Sequence, residues 1–513
     1  MNSQCSLSKI LQFHPLTLVA TSVSKWSFSS NAESRLNPLV TLMMNSRLAS
    51  LCLLAALLGI ASVFAAAPAR PNLVIVLSDD HTLTDSSVYG SKDVKTPNMQ
   101  RLARAGLTFD RAFVASPSCA PSRAALLTGL MPARNGAEPN HSKPRAELKK
   151  LPAYLKELGY EVVSFGKVSH YQHTGDYGFD HWAHDKYHED VAILNGIKWL
   201  RERRNDKPLC IFFGTNWPHV PWPETGEGHD PNKLTVPRTH VDTPETRQSR
   251  ARYYAAIARM DADLGAVFDA ANEVLGANTF FLHTADHGAQ WPFGKWSCYD
   301  AGIRTPLIAV WPGKVKAGAR TDAMVSWIDI LPTLVEVGGG TPDLAIDGRS
   351  FAPVLRGAKR EHRDRIFTTH SGDGLMNVYP TRSVRATDWK YIRNLHPEFY
   401  YATHVDLGRG GDGPSYFRSW EEKAKTDPAA AATVRRYHER PAEELYDLRA
   451  DPLELKNLAG EPAHASRLAA LRGEVDAWMK ANHDTGKVFS EPRLLSDPKR
   501  AEPPPVGAKK KKA

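Results

Sequence analysis

Cysteine is scarce, with five in 513 residues. Cys5 and Cys52 lie ahead of residue 68, which leaves Cys119, Cys210 and Cys298 for the body of the chain. So sparse and odd a set excludes a disulfide framework, even in an oxidising compartment. Long apolar runs are also few. The run Leu48 to Phe64 barely reaches the roughly 18–20 residues that a bilayer-spanning helix needs. No internal repeat is present, which excludes solenoids and propellers. A surplus of one charge is lacking too. The formal charge of +9 is concentrated in Lys509 to Lys512 and in the N-terminal stretch, so the body is close to balanced. Nothing there indicates a nucleic-acid partner, and the lysine run reads as a solvated end.

What is present is a folded globular composition, 42% apolar and 9% aromatic, on a chain long enough for two domains. Arg47 precedes the apolar run, and Ala65-Ala66-Ala67 offers a cleavage site. That pattern predicts a cleaved secretory signal, export to the periplasm or beyond, and no stable membrane anchor. Cys52 sits inside the run, which argues against lipoprotein processing, and Met43-Met44 offers a start codon after an over-extended reading frame.

Asn72 to Ser78 is a continuous apolar run, as expected of a strand buried on both faces of a parallel sheet. It ends in Asp79-Asp80, where open α/β sheets place their ligands. Two adjacent acids need solvent or a cation, and hard oxygen ligands suit Ca²⁺ or Mg²⁺. Taken alone, the pair is equally a solvated turn. Further buried strands are expected at Glu161 to Phe165, Leu209 to Phe213, Thr279 to Thr284 and Leu307 to Trp311. The second of these leads to Trp217-Pro218-His219-Val220-Pro221-Trp222, whose tryptophans could pack the loop or stack on a sugar. The third ends in Asp286-His287, a second acid at a strand end.

Thr96 to Gly106 predicts a capped helix with Pro97 at its first position. Thr243-Pro244-Glu245 opens a long amphipathic helix to about Val274, and Ser326 to Asp329 opens one to Val337. Beyond a loop-rich stretch ending near Arg360, short strands are expected at Arg363 to Thr369, Thr381 to Ala386 and Lys390 to Asn394. A turn is expected over Glu444 to Glu454, a last helix over Ala465 to Ala481, and disorder after Glu491.

The densest motif is Ser118-Cys119-Ala120-Pro121-Ser122-Arg123, followed by Leu127-Thr128-Gly129. Pro121 suits a first helical turn, so Cys119 would lie at a helix N-terminus, where the dipole favours an anion. Arg123 adds a fork of donors matched to a tetrahedral oxyanion. Cys-x-Pro-Ser-Arg followed by Leu-Thr-Gly resembles the signature of the type I sulfatases, in which this cysteine is oxidised to formylglycine.

The resemblance spans about residues 71 to 482. It implies an α/β alkaline-phosphatase-like mixed sheet flanked by helices, with a smaller C-terminal α+β domain containing an antiparallel sheet. The domains then run 68–360 (catalytic) and 361–490 (C-terminal), between the signal region 1–67 and a disordered basic tail 491–513. It also implies one Ca²⁺ held by Asp79, Asp80, Asp286 and His287 beside Cys119. Lys167, Lys295 and Arg123 would face sulfuryl oxygens, His219 the leaving group, and His170 the second hydroxyl of the aldehyde hydrate. Partners would be a sulfated glycan and a formylglycine-generating enzyme. Asp-His-Gly at 286–288 and the Lys167-to-His170 spacing are similar to the iduronate sulfatase type. The order of pieces from Leu234 to Asp261 resembles the heparan N-sulfatase (sulfamidase) branch, which makes N-linked sulfate the leading expectation. Other readings are an O-sulfatase, a phosphodiesterase or phosphonate hydrolase of the same superfamily, and a glycan-binding protein with unmodified Cys119.

Overall fold

Strand β1 (Asn72–Ser78) lies at the centre of the architecture. The computed structural model describes residues 69–184, 191–341 and 345–505. The expected signal region and the terminal lysine run fall outside the described residues. Strand β1 alternates strictly, as a pleated strand must. Val74 and Val76 pack with Tyr253, Ile257, Met260 and Leu264 of the Pro244–Leu275 helix. Leu73, Ile75 and Leu77 pack on the other face with Leu151, Leu155, Leu331 and Leu334. Both faces are covered, which is why the strand reads as an unbroken apolar run.

The remaining strands of the main sheet are β2 (Leu107–Phe113), β3 (Glu161–Gly166), β4 (His181–Ala183), β5 (Leu209–Gly214), β6 (Thr279–Ala285), β7 (Arg304–Val310), β8 (Ala319–Thr321) and β9 (Val325–Ser326). Their order is β4-β3-β5-β1-β6-β7-β2-β8, with β9 also pairing with β2. Strand β7 runs antiparallel to both neighbours, so the sheet is mixed, as expected. Strand β1 pairs in parallel with β5 and β6, and Ser78 stands opposite Ala285. That register brings the residues just past β1 and β6 side by side.

The long helix begins as its sequence predicts, with Thr243 accepting from Thr246 N at 3.1 Å. The Pro97–Ala105 helix does not use Thr96 as a cap, because Ser87 engages that hydroxyl at 2.8 Å. Its first amides, Asn98 N and Met99 N, donate instead to Asp261 at 2.9 and 2.8 Å.

A second, antiparallel sheet is built from β10 (Ile366–His370), β11 (Thr381–Arg385), β12 (Trp389–Asn394) and β13 (Glu443–Asp447). The stretch expected as a turn from Glu444 is therefore a strand in its first part. Leu468, Leu471 and Val475 of the Ala465–Ala481 helix cover this sheet through Val384, Tyr391 and Leu445. Two unforeseen helices, Pro414–Ala424 and Pro428–His438, precede β13.

The chain from Arg70 onward forms one compact unit that contains both sheets. Buried polar contacts tie the small sheet to the large one. The Lys390 ammonium pairs with Asp300 and, at 2.8 Å, with Glu454, and Tyr299 Oη donates to Glu444 at 2.6 Å. Part of the stretch after Glu491 packs on the body. Leu494 bridges Phe399, and Tyr400 N donates to Arg493 O at 2.7 Å. Among the described residues, no helix is long and apolar enough to cross a membrane.

Candidate active site

Three loops at the C-terminal ends of parallel strands converge on Cys119. Asp79 and Asp80 follow β1, Asp286 and His287 follow β6, and Lys167 follows β3. Asp80 turns into the left-handed region, with φ 62°, and its N–H donates to Asp286 Oδ1 at 3.1 Å. Gly166, with φ 77°, lets the chain leave β3 against β5, because a Cβ there would lie 2.1 Å from Gly214 O. Lys167 N then donates to the same carbonyl at 2.8 Å.

Cys119 is the first residue of a ten-residue, wholly buried helix, Cys119–Thr128. Ser118 supplies no side-chain cap, and Asn140 Oδ1 instead accepts from Ala120 N at 3.1 Å. The Cys119 Sγ lies 3.2 Å from His287 Nε2 and 3.7 Å from both Asp79 Oδ1 and Lys167 Nζ. Burial pushes the thiol well above its ordinary range, so the unmodified side chain stays protonated.

The carboxylates differ in what holds them. Asp79 meets the Lys167 ammonium and the Arg123 guanidinium. Burial alone would raise it, but Lys167, His219 and Arg123 hold it well below the usual carboxylate range. Asp80 accepts from Lys295 Nζ at 2.8 and 3.0 Å. Burial nevertheless pushes Asp80 up to about 8, and the charges of Asp79 and Asp286 add to the rise against Lys295. Asp286 rises to about 6, chiefly by burial, although Arg123 Nε donates to it at 2.9 Å.

The donor set fits a hard divalent cation. One set of ligand atoms, from Asp79, Cys119, Asp286 and His287, lies mutually within 4.8 Å, as does a second from Asp79, Asp80, Cys119 and His219. His287 Nδ1 faces the Gly288 carbonyl at 2.9 Å and must donate to it, which leaves Nε2 as a lone pair. That lone pair stands 3.4 Å from Asp286 Oδ2, another acceptor. Cys119 Sγ lies 3.2 Å from the same nitrogen, so thiol, imidazole and carboxylate form one potential ligand set.

The Arg123 guanidinium is buried on Asp286, Asp79 and the Lys167 carbonyl. His219 Nδ1 donates to Val220 O at 2.6 Å, and its Nε2 lies 3.8 Å from Asp80 Oδ2. Trp217 and Trp222 pack the loop. Trp222 is 4% exposed and stacks on Trp291 at 5.1 Å.

His170 lies on a second wall that the sequence did not reveal. Its Nε2 is 2.7 Å from His141 Nδ1, and His141 Nε2 is 3.1 Å from Asp373 Oδ1. Asp373 also accepts from Asn140 Nδ2 and Trp296 Nε1, both at 2.9 Å, and faces His404 Nε2 at 3.5 Å. Asn140, His141 and Asp373 sit in loops and His404 opens the short helix His404–Leu407, and only their tertiary placement marks them.

Known proteins share this arrangement of elements. The sulfatase family model matches residues 71–340, and that of the N-sulphoglucosamine sulphohydrolase C-terminal region matches residues 287–407. The chain is 32% identical over 431 residues to an ulvan-active sulfatase of Formosa agariphila, covering 81% of each. It is 26% identical over 470 residues to the N-sulphoglucosamine sulphohydrolase of Homo sapiens, covering 81% of this chain and 91% of that one. A solved structure with bound D-glucosamine-2-N,6-O-disulfate, its substrate, matches with TM-score 0.62 at 20% identity, over 81% of this chain and 99% of that one. The phosphonate monoester hydrolase of Agrobacterium radiobacter matches with TM-score 0.63 at 20% identity, over 80% and 96%. At these identities the two structures establish the shared alkaline-phosphatase-like fold.

Proposed function

The chain belongs to the sulfatase family and hydrolyses sulfate esters, and on that basis we propose that it removes sulfate from a glucosamine-containing glycan of the heparin or heparan type, N-linked sulfate first. The observation that carries the substrate is the match of residues 287–407 to the N-sulphoglucosamine sulphohydrolase C-terminal region. That segment includes Lys295, Asp373 and His404, which border the site, so the likeness reaches beyond the shared catalytic core.

Formylglycine at position 119 and one Ca²⁺ would supply a geminal hydroxyl of lowered pKa and a positive centre for a sulfate oxygen. Asp79, Asp80, Asp286 and His287 would hold the cation. Lys167 and Lys295 would offset charge on the sulfuryl oxygens. Both remain protonated despite burial, Lys167 through Asp79 and Lys295 through Asp80. His219 would carry the proton for the departing amine or alcohol at Nε2, since Nδ1 is committed to Val220 O. His170 would accept a proton from residue 119 as sulfate is expelled. An N-terminal signal would route the chain out of the cytoplasm, to a maturation enzyme and a polyanionic substrate.

A second reading, an O-sulfatase on an ulvan-like polysaccharide, is favoured by the 32% identity to the Formosa protein. The test is a panel of heparan disaccharides of defined sulfation, run beside ulvan oligosaccharides, with free sulfate measured. Release from N-sulfated glucosamine supports the first reading. Release from ulvan alone rejects it in favour of the second.

A further inference from the structure

We propose that His141 and Asp373 are positioning residues that form a proton relay behind His170 and fix its Nδ1 as the bare, proton-accepting nitrogen. The inference rests on the reading of His170 as a base of this sulfatase, but its geometry stands independently. The chain of reasoning starts at Asp373, a buried carboxylate and therefore an acceptor. Its Oδ2 is already occupied by Asn140 Nδ2 and Trp296 Nε1, while Oδ1 faces His141 Nε2 at 3.1 Å. His141 Nε2 must then carry a hydrogen. In the neutral ring, Nδ1 is left as an acceptor, and across 2.7 Å it takes the hydrogen of His170 Nε2. His170 Nδ1 is thereby stripped of hydrogen. Among the described residues it is buried without a hydrogen-bond partner.

Such a nitrogen would be a poor place to keep a proton. Burial, and next the charge of Lys167, push His170 far below the usual imidazole range. Lys167, Tyr171, His173 and His141 are the titratable groups that face it, and His141, His404 and His370 face Asp373. The relay removes the difficulty. A proton arriving at Nδ1 comes from a hydroxyl on residue 119, whose O–H pair closes the C=O bond as the C–O bond to sulfate breaks and sulfate leaves with the pair of that broken bond. His170 then passes its Nε2 proton to His141 Nδ1. The positive charge ends on His141, against Asp373 and away from Lys167. The His141 side chain is 38% exposed, so the proton can leave to water from there.

The discriminating substitution is Asp373→Asn. Its amide can still accept from Trp296 or Asn140, but its NH₂ group would face His141 Nε2 and force that nitrogen to accept. His141 Nδ1 would then carry the hydrogen, and His170 Nε2 would become the bare nitrogen. Full-length Cys119→Ala protein with ¹⁵N-labelled histidine, assigned through His170→Gln, reads the ring nitrogens without turnover. The expected spectrum has His170 Nδ1 unprotonated and Nε2 protonated, with the two exchanged on adding Asp373→Asn. In the Cys119-containing enzyme, Asp373→Asn should lower kcat about 100-fold and leave KM unchanged. His141→Gln keeps both hydrogen bonds but cannot hold the proton, so it should preserve the His170 tautomer and still lower kcat. This second variant decides the matter should Asp373→Asn fail to fold. A proton on His170 Nδ1 in the parent protein, or an unchanged kcat in His141→Gln, overturns the relay. If the parent enzyme releases no sulfate from any glycan, the functional reading fails, while the ring-nitrogen spectra still decide the relay.

Discussion

The site has two walls, and they are made differently. The acid wall, with Asp79, Asp80, Asp286 and His287, comes from consecutive residues at the ends of two adjacent parallel strands. Once Ser78 pairs with Ala285, no further folding is needed to bring the acids together. The histidine wall joins His170 to His141, 29 residues apart, and Asn140 to Asp373, 233 residues apart. It exists only when the small sheet is docked. The acid wall gathers three carboxylates against Lys167, Lys295 and Arg123. The histidine wall is built around a single carboxylate, Asp373, and His170 Nδ1 is left without a hydrogen-bond partner. Placing charge is the work of the first, and moving a proton that of the second.

The largest effect should come from the atom that lies between the walls. Cys119→Ala should abolish sulfate release, a loss of roughly 10⁵-fold or more, because the nucleophile arises from that side chain. Its melting temperature should be nearly unchanged, and mass spectrometry of the parent peptide should show the aldehyde. Appreciable turnover in the variant would break the assignment.

The walls should also respond oppositely to pH. In cation-free protein Asp80 titrates at about 8 and Asp286 at about 6, above their unfolded value near 3.9. Folding then takes up protons, so this wall's contribution to stability falls as pH rises from about 4 to about 8. His170 is depressed by burial and Lys167, so its contribution is complete above about 6.5 and is lost as pH falls below. Urea denaturation with EGTA at pH 5, 6.5 and 8 measures both limbs. Adding Ca²⁺ should erase the alkaline fall, and Asp80→Asn should erase its part between pH 6.5 and 8 without any cation. An alkaline fall that survives both treatments would mean that the acid wall is not its source.

The smallest effect belongs to a residue remote from both walls. Thr243→Ala removes the cap of the long helix and should cost about 1 kcal/mol in urea denaturation. Its kcat should match that of the parent. A fall in kcat would show that the helix behind β1 sets the acid wall as well as supporting it.

Local pattern alone disclosed much of this protein. Buried strands of a parallel sheet read as unbroken apolar runs, so β1, β3, β5 and β6 could be marked, along with the acids, lysine and histidine at their ends. Caps and prolines marked the Thr243 and Ser326 helix starts, because those signals act within one turn. The short strand β13 and the helices before it carried weaker patterns and were missed. Tertiary structure decided the rest. It took Thr96 away from its helix and supplied Asp261, it set the Arg123 guanidinium on Asp79 and Asp286, and it used Trp217 and Trp222 for packing. It also built the histidine wall, whose members have no shared spacing or motif. A hydrogen bond between residues hundreds of positions apart depends on how sheets dock. No local stretch of sequence encodes that distance.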